Sequence, residues 1–244
     1  LSMSQQSRAL IIVNTHFYSR DGDEVPPGVR QGAKREAEKL SRSLSRLNYK
    51  VLLMHNKTAE EIKALYQQER SCPQGQFFLS IISSHGGDGF ILGCDSEPLQ
   101  LRWIFQVLAP ERCPALTTTP KIFFIQACRG HQLDPGVVLE CDGDQPEWEP
   151  DGFSDYLSIP PQTAAMFSCS PGYVAFQNPL SSMFLQALLK VLQGEERHLP
   201  LNRLLTRINW EVAFTCQARG FYEGCKQMPC FVTNLLHEVF PFSA

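Results

Sequence analysis

Residues 121–130 read Lys-Ile-Phe-Phe-Ile-Gln-Ala-Cys-Arg-Gly. The run 121–125 (KIFFI) is dominated by isoleucine and phenylalanine, the pattern of a strand covered on both faces. Stretches 9–13 (ALIIV), 50–54 and 77–83 (FFLSIIS) have the same character. Helical patterns lie between them. In 31–47, Ala33, Ala37, Leu40, Leu44 and Leu47 recur at three- and four-residue steps and mark one apolar face. Thr58 with Glu61 makes a capping box that opens a helix through about Glu69, and 99–107 reads as another helix. Farther on, 164–169 (AAMFSC) predicts a strand, 182–192 and 201–218 two helices, and 230–233 a last strand. Strand and helix in alternation predict an α/β fold, a mostly parallel six-stranded sheet with helices on both faces.

The chain has 244 residues, 43% of them hydrophobic and 19% charged, too apolar for intrinsic disorder and long enough for a sizeable core. A net charge of −3 gives no global field toward nucleic acid or an anionic membrane, and no apolar run is long enough for a membrane span. Twelve basic residues among the first 70, against eight acids, read as a solvated face. Nine scattered cysteines and no signal-peptide pattern predict buried thiols in a reducing compartment, the cytoplasm with some nuclear access. Cys216, Cys225, Cys230 and His237 lack paired metal-ligand spacing, so neither a metal nor another cofactor is expected. Between Asp134 and Asp155 there are eight acidic residues, three prolines, three glycines and no Lys or Arg, which predicts an exposed linker.

In open parallel sheets, reactive groups gather beyond the carboxyl ends of the strands. The strand 77–83 runs out into Ser84-His85-Gly86-Gly87, and the strand 121–125 into Gln126-Ala127-Cys128-Arg129. If the two strands are parallel neighbours, an imidazole and a thiol emerge at one edge. A thiol is a useful nucleophile only as a thiolate, which a nearby imidazole provides before returning the proton to a leaving amine. Gly86 leaves its backbone free to offer an N–H which, with that of Cys128, forms an oxyanion hole. Each residue alone has a plain structural explanation: a packed thiol, a satisfied histidine.

Together they resemble a known family. The run FFIQACRG is similar to the active-site signature of the caspases, with a histidine 43 residues upstream in a Ser-His-Gly segment. PALTTTPKIFFIQACRG (114–130), Pro-Gly-Tyr at 171–173, Phe184-Leu185-Gln186 and Met228-Pro229-Cys230 fall where caspases carry equivalents, so the resemblance spans nearly the whole chain. It implies a three-layer caspase-like fold and a cysteine endopeptidase that cuts after aspartate. By the matching motifs, Cys128 is the nucleophile, His85 the general acid and base, and Gly86 an oxyanion donor. Arg30 and Gln126 hold the substrate aspartate. The family's second pocket arginine follows Pro-Gly-Tyr; here Ala175, Phe176 and Gln177 occupy that stretch, with Phe176 as an apolar wall and Gln177 at the arginine position. A neutral amide replaces a charged planar fork, which weakens or alters recognition at P1, the substrate residue before the cut.

The resemblance also gives the linker a role, maturation of a zymogen by cleavage after aspartate. Asp142 is the first choice of cut site, with Asp151 and Asp155 as alternatives. The chain then divides into a large subunit region, 1–142, a linker remainder, 143–163, and a small subunit region, 164–244, together one domain. The expected assembly is a homodimer of large and small subunit pairs, with a heterodimer with another caspase as a second arrangement. About 8 residues precede the first strand, so a short member without a recruitment domain is expected, and Leu1-Ser2 ahead of Met3 leaves room for sequence upstream. Gly172 to Phe176 and Leu133 to Gly136 resemble the epidermal branch of the family. Two readings follow. One is an active protease acting on protein substrates with a P1 aspartate, in apoptosis or outside it. The other, resting on Gln177, is an impaired homologue that regulates other caspases by binding them.

Overall fold

A computed structural model describes residues 6–19, 30, 32–72, 75–132, 157–173, 175, 177–178, 181–215 and 225–243. Six strands form the central sheet: β1 (Arg8–Val13), β2 (Lys50–His55), β3 (Phe78–Ser83), β4 (Lys121–Gln126), β5 (Thr163–Phe167) and β6 (Cys230–Thr233). Their order across the sheet is β6-β5-β4-β3-β1-β2. The first five run parallel, and β6 lies antiparallel on the edge beside β5.

Because side chains alternate across a strand, each apolar run feeds two cores. Ile11, Leu79, Ile81, Ile122, Phe124 and Met166 share one core with helices α1 (Ala33–Arg46), α4 (Met183–Gln193) and α5 (Leu201–Trp210). Ile12, Phe78, Ile82, Phe123, Ile125 and Phe167 face the other core with α2 (Ala59–Glu69) and α3 (Leu101–Val107). The continuous hydrophobic strands are thus explained by helices on both faces. The capping box at Thr58 forms as expected, the Thr58 hydroxyl accepting from the Glu61 N–H at 3.1 Å and the Glu61 carboxylate from the Thr58 N–H at 2.9 Å.

Most boundaries shift by a residue or two from the sequence expectation, and three of the differences bear on the site or its neighbours. The helix expected from 99 starts at Leu101, because Pro98–Gln100 pairs with Phe90–Leu92, which in turn pairs with Gly86–Gly87 in a small antiparallel meander. The strand expected over 164–169 spans Thr163–Phe167; the Ser168 N–H makes the last ladder bond, to the Ile125 carbonyl, and the Ser168 and Cys169 side chains turn to the Ala127 carbonyl. The α-helix expected to 218 ends at Trp210 and widens into a π turn over Glu211–Thr215, where the Thr215 hydroxyl bonds the Glu211 carbonyl; residues 216–218 lie outside the described ones. The cysteines also differ. Seven described ones are free thiols, but only Cys113 and Cys169 are buried, the others being half-buried.

Candidate active site

The sheet register decides where the chemistry sits. Ser83, the last residue of β3, is paired with Gln126, the last of β4. The Ser84 N–H continues the ladder by donating to the Gln126 carbonyl at 3.1 Å. His85 and Cys128 each stand two residues beyond that pair, on adjacent parallel strands leaving the sheet at the same end. A Cβ added to Gly86 would lie 2.5 Å from the Phe90 carbonyl oxygen and 3.2 Å from the Ala127 Cβ. Only glycine therefore fits where the segment after His85 crosses the residue before Cys128.

Each reactive side chain has its own support. His85 is half-buried, with its ring 4.5 Å from that of the buried Phe17, and its carbonyl accepts from the Leu92 N–H at 2.8 Å. Cys128 is half-buried, and its Sγ donates to the Ala175 carbonyl at 3.8 Å. The turn carrying it is pinned on both sides. The Ser168 hydroxyl accepts from the Ala127 N–H at 3.3 Å and donates to the Ala127 carbonyl at 3.1 Å. Arg129 is 2% exposed and donates from Nη1 to the Cys169 carbonyl at 3.0 Å and to the Cys230 sulfur at 2.9 Å. Its guanidinium lies 4.3 Å over the Phe167 ring, with Asp88 Oδ1 3.8 Å from Nε. Burial pushes the neighbouring Cys169 thiol up to about 12, which leaves it protonated and inert.

Arg30, although it precedes a helix, does not point into solvent. It is 7% exposed and donates from Nη1 to the Asn14 carbonyl and from Nη2 to the Ser83 hydroxyl, both at 2.9 Å. Desolvation lowers its pKa to about 10, opposed by the nearby Glu36 and Cys128, and the guanidinium stays charged at neutral pH. Ser83 thus joins Arg30 to the strand pair that carries His85 and Cys128. Gln126 is 2% exposed, and its side-chain oxygen accepts no hydrogen bond from the described residues. A half-turn about its terminal bond exchanges that oxygen for an N–H₂ donor. One end of the sheet therefore gathers a thiol, an imidazole, a buried positive charge and an unsatisfied amide.

Ala175 is buried with its carbonyl at the Cys128 sulfur. The Gln177–Asn178 segment pairs with Ser181–Ser182 as a short antiparallel ribbon. The Gln177 side chain, Phe176 and the processing candidates Asp142, Asp151 and Asp155 lie outside the described residues. Sequence reading missed Asn14, Glu36, Ser83 and Ser168, which position the others. Asn14 carried one usable signal, a polar residue directly after the ALIIV strand. It is fully buried and donates from Nδ2 to the Lys57 and Leu92 carbonyls, both at 3.1 Å, tying the segments after β1 and β2 to the Phe90–Leu92 strand at this end of the sheet.

Known proteins resemble nearly the whole chain. The caspase domain matches residues 6–240. Caspase-7 of Gallus gallus is 30% identical over 248 residues, covering 98% of this chain and 78% of that protein. Caspase-3 of Mesocricetus auratus is 31% identical over 237 residues, covering 95% of this chain and 82% of the relative. The crystal structure of caspase-1 from Spodoptera frugiperda superposes with a TM-score of 0.82 at 25% identity, covering 98% of this chain and 90% of that one. With a domain match over nearly its full length and relatives at about 30% identity, the chain belongs to the caspase family.

Proposed function

We propose that this chain is a cysteine endopeptidase that hydrolyses peptide bonds after aspartate, with P1 recognition weakened relative to its relatives. The observation that carries the reading is the pairing of Ser83 with Gln126, which sets His85 and Cys128 at one edge beside a buried Arg30. Cys128 Sγ passes its proton to His85 and attacks the P1 carbonyl carbon, forming a C–S bond as the carbonyl π pair moves onto oxygen. The N–H groups of Gly86 and Cys128 hold that oxyanion, an arrangement worth about 3–4 kcal/mol per donor in acyl transfer. Collapse of the intermediate breaks the C–N bond, and His85 protonates the leaving amine. Water then attacks the thioester, giving its proton to His85, and the acid product and free thiol are released.

The P1 carboxylate is read by Arg30 and Gln126. Gln177 supplies a neutral hydrogen bond of about 1 kcal/mol where a charge-assisted one contributes about 1.5–3 kcal/mol, which weakens aspartate recognition roughly two- to thirtyfold. Zymogen cleavage after Asp142, or after Asp151 or Asp155, yields the large and small subunits. The outer edge of β6, half-exposed along its length, offers backbone groups for pairing with a second copy or with another caspase. Seven free thiols fit a reducing compartment, the cytoplasm. Gln177 also favours a second reading, an impaired homologue that regulates other caspases by binding them.

Peptides varied only at P1, incubated with the chain cut in its linker, separate the two. The protease reading predicts turnover of the aspartyl peptide and labelling of Cys128 by an aspartyl electrophile. Absence of both favours the regulatory reading. Gln177→Arg is expected to raise aspartyl cleavage by about two- to thirtyfold.

A further inference from the structure

Glu36, in the first turn of α1, is 1% exposed and has no solvent to stabilise its charge. Among the described residues, the hydrogen bonds of its carboxylate all reach across the linker to the C-terminal part of the chain. Its Oε1 accepts from the Ser182 N–H at 3.1 Å and from Gln186 Nε2 at 3.3 Å, and its Oε2 from the Ser182 hydroxyl at 3.0 Å. That hydroxyl also accepts from the Leu185 N–H at 3.1 Å, capping α4, so the carboxylate sits at a helix N-terminus that favours an acceptor. Ser182 is the strand partner of Gln177, two residues beyond the Ala175 carbonyl that touches the Cys128 sulfur. On its own side Glu36 sits in the first turn of the helix whose first residue, Ala33, donates its N–H to the Arg30 carbonyl at 3.1 Å. A buried carboxylate is a costly way to hold two helices together where an apolar contact would serve. Its hydrogen bonds fix direction and spacing, which apolar contacts do not.

We propose that Glu36 is a positioning residue that clamps the ribbon of Gln177–Asn178 and Ser181–Ser182 onto the helix beginning beside Arg30, so that the two walls of the acid-reading groove keep a fixed separation. The inference rests on the groove being the substrate site described above. It assigns Glu36 no contact with substrate; Glu36 acts through the start of α1 beside Arg30 on one side and through Ser182, the strand partner of Gln177, on the other.

Glu36→Ala and Glu36→Gln in the linker-cut chain test it, compared well below both unfolding temperatures. Glu36→Ala is expected to raise KM for a P1-aspartyl peptide roughly tenfold with kcat changed less than about threefold. Glu36→Gln keeps an oxygen for the Ser182 N–H and can donate to the Ser182 hydroxyl, so it restores KM. Hydrogen exchange at the Ser182 and Leu185 amides is expected to quicken in Glu36→Ala and not in Glu36→Gln. Faster exchange with an unchanged KM overturns the role in the groove, and unchanged exchange overturns the clamp itself. A chain with native Glu36 that turns over no peptide sinks the protease reading instead; exchange needs no substrate, so it still decides whether the clamp exists.

Discussion

Arg30 carries the only formal charge assigned to the P1 pocket, and its position depends on two neutral acceptors, the Asn14 carbonyl and the Ser83 hydroxyl. A buried guanidinium that loses an acceptor must reorient or remain unsatisfied. Ser83→Ala is therefore expected to lower kcat/KM on an aspartyl peptide by about ten- to a hundredfold, the equivalent of a charge-assisted bond of about 1.5–3 kcal/mol. Alkylation of Cys128 by iodoacetamide, which does not use the pocket, should keep its rate; an equal loss in both would show that Ser83 supports the thiol instead. Glu36 makes a second prediction at this scale. Burial outweighs the bonds from Ser182 and Gln186 and the attraction of Arg30, pushing its carboxyl up to about 7 from an ordinary 4.5. Between those values the folded chain holds a proton that the unfolded chain has released, so the stability Glu36 contributes is full below 4.5 and is lost as pH rises through about 7. Urea midpoints should show Glu36→Gln gaining on the native chain from about pH 5 to about pH 7.5, by about 1.4 kcal/mol per unit at the steepest. A constant difference across that range would place the Glu36 titration elsewhere.

At the scale of elements, legibility followed the range of the forces. The four inner strands were readable because a sheet buried on both faces needs unbroken apolar runs, and the half-exposed edge strand β6 was still read to the residue. The start of α2 was readable because its cap is local, Thr58 and Glu61 being three residues apart. Thr58→Ala is expected to cost about 1 kcal/mol of stability by denaturant titration while leaving Cys128 alkylation unchanged, since α2 packs on the core with Ile12 and Phe78, far from Arg30's helix. The start of α3 was misread because Leu99 satisfies a helical pattern equally well, and pairing with Ile91 decides in favour of a strand. The end of α5 was misread because the apolar pattern does not mark where the α-helix gives way to the π turn at Glu211–Thr215. The site divides the same way. Cys128, His85, Arg30 and Gln126 sit in or beside recognisable motifs. Ser83 and Glu36 act through partners 53 and 146 residues away, a relation no local pattern encodes.

For the whole molecule, the stretches before and after the acidic linker are interleaved rather than side by side. β4 and β5 are hydrogen-bonded neighbours inside the sheet, α1 packs on α4, and the Tyr49 hydroxyl donates to the Pro241 carbonyl at 2.8 Å. A cut in the linker should therefore leave two pieces that co-elute on gel filtration and part only in denaturant; pieces that separate under native conditions would contradict the shared core. Interleaving also builds the candidate site from both pieces, Arg30, His85 and Cys128 from the first and Ala175 and Gln177 from the second.

The central claim, a thiol and an imidazole serving an acid-reading crevice, meets its most direct test in one ratio. Compare kcat/KM on two peptides identical except for aspartate or asparagine at P1, nearly the same shape with and without the charge, in the linker-cut chain and in its Arg30→Ala variant. The account predicts a preference for aspartate of at least about tenfold that collapses toward unity without Arg30. Equal turnover of both peptides by the native chain, or a preference that survives the loss of Arg30, would contradict it.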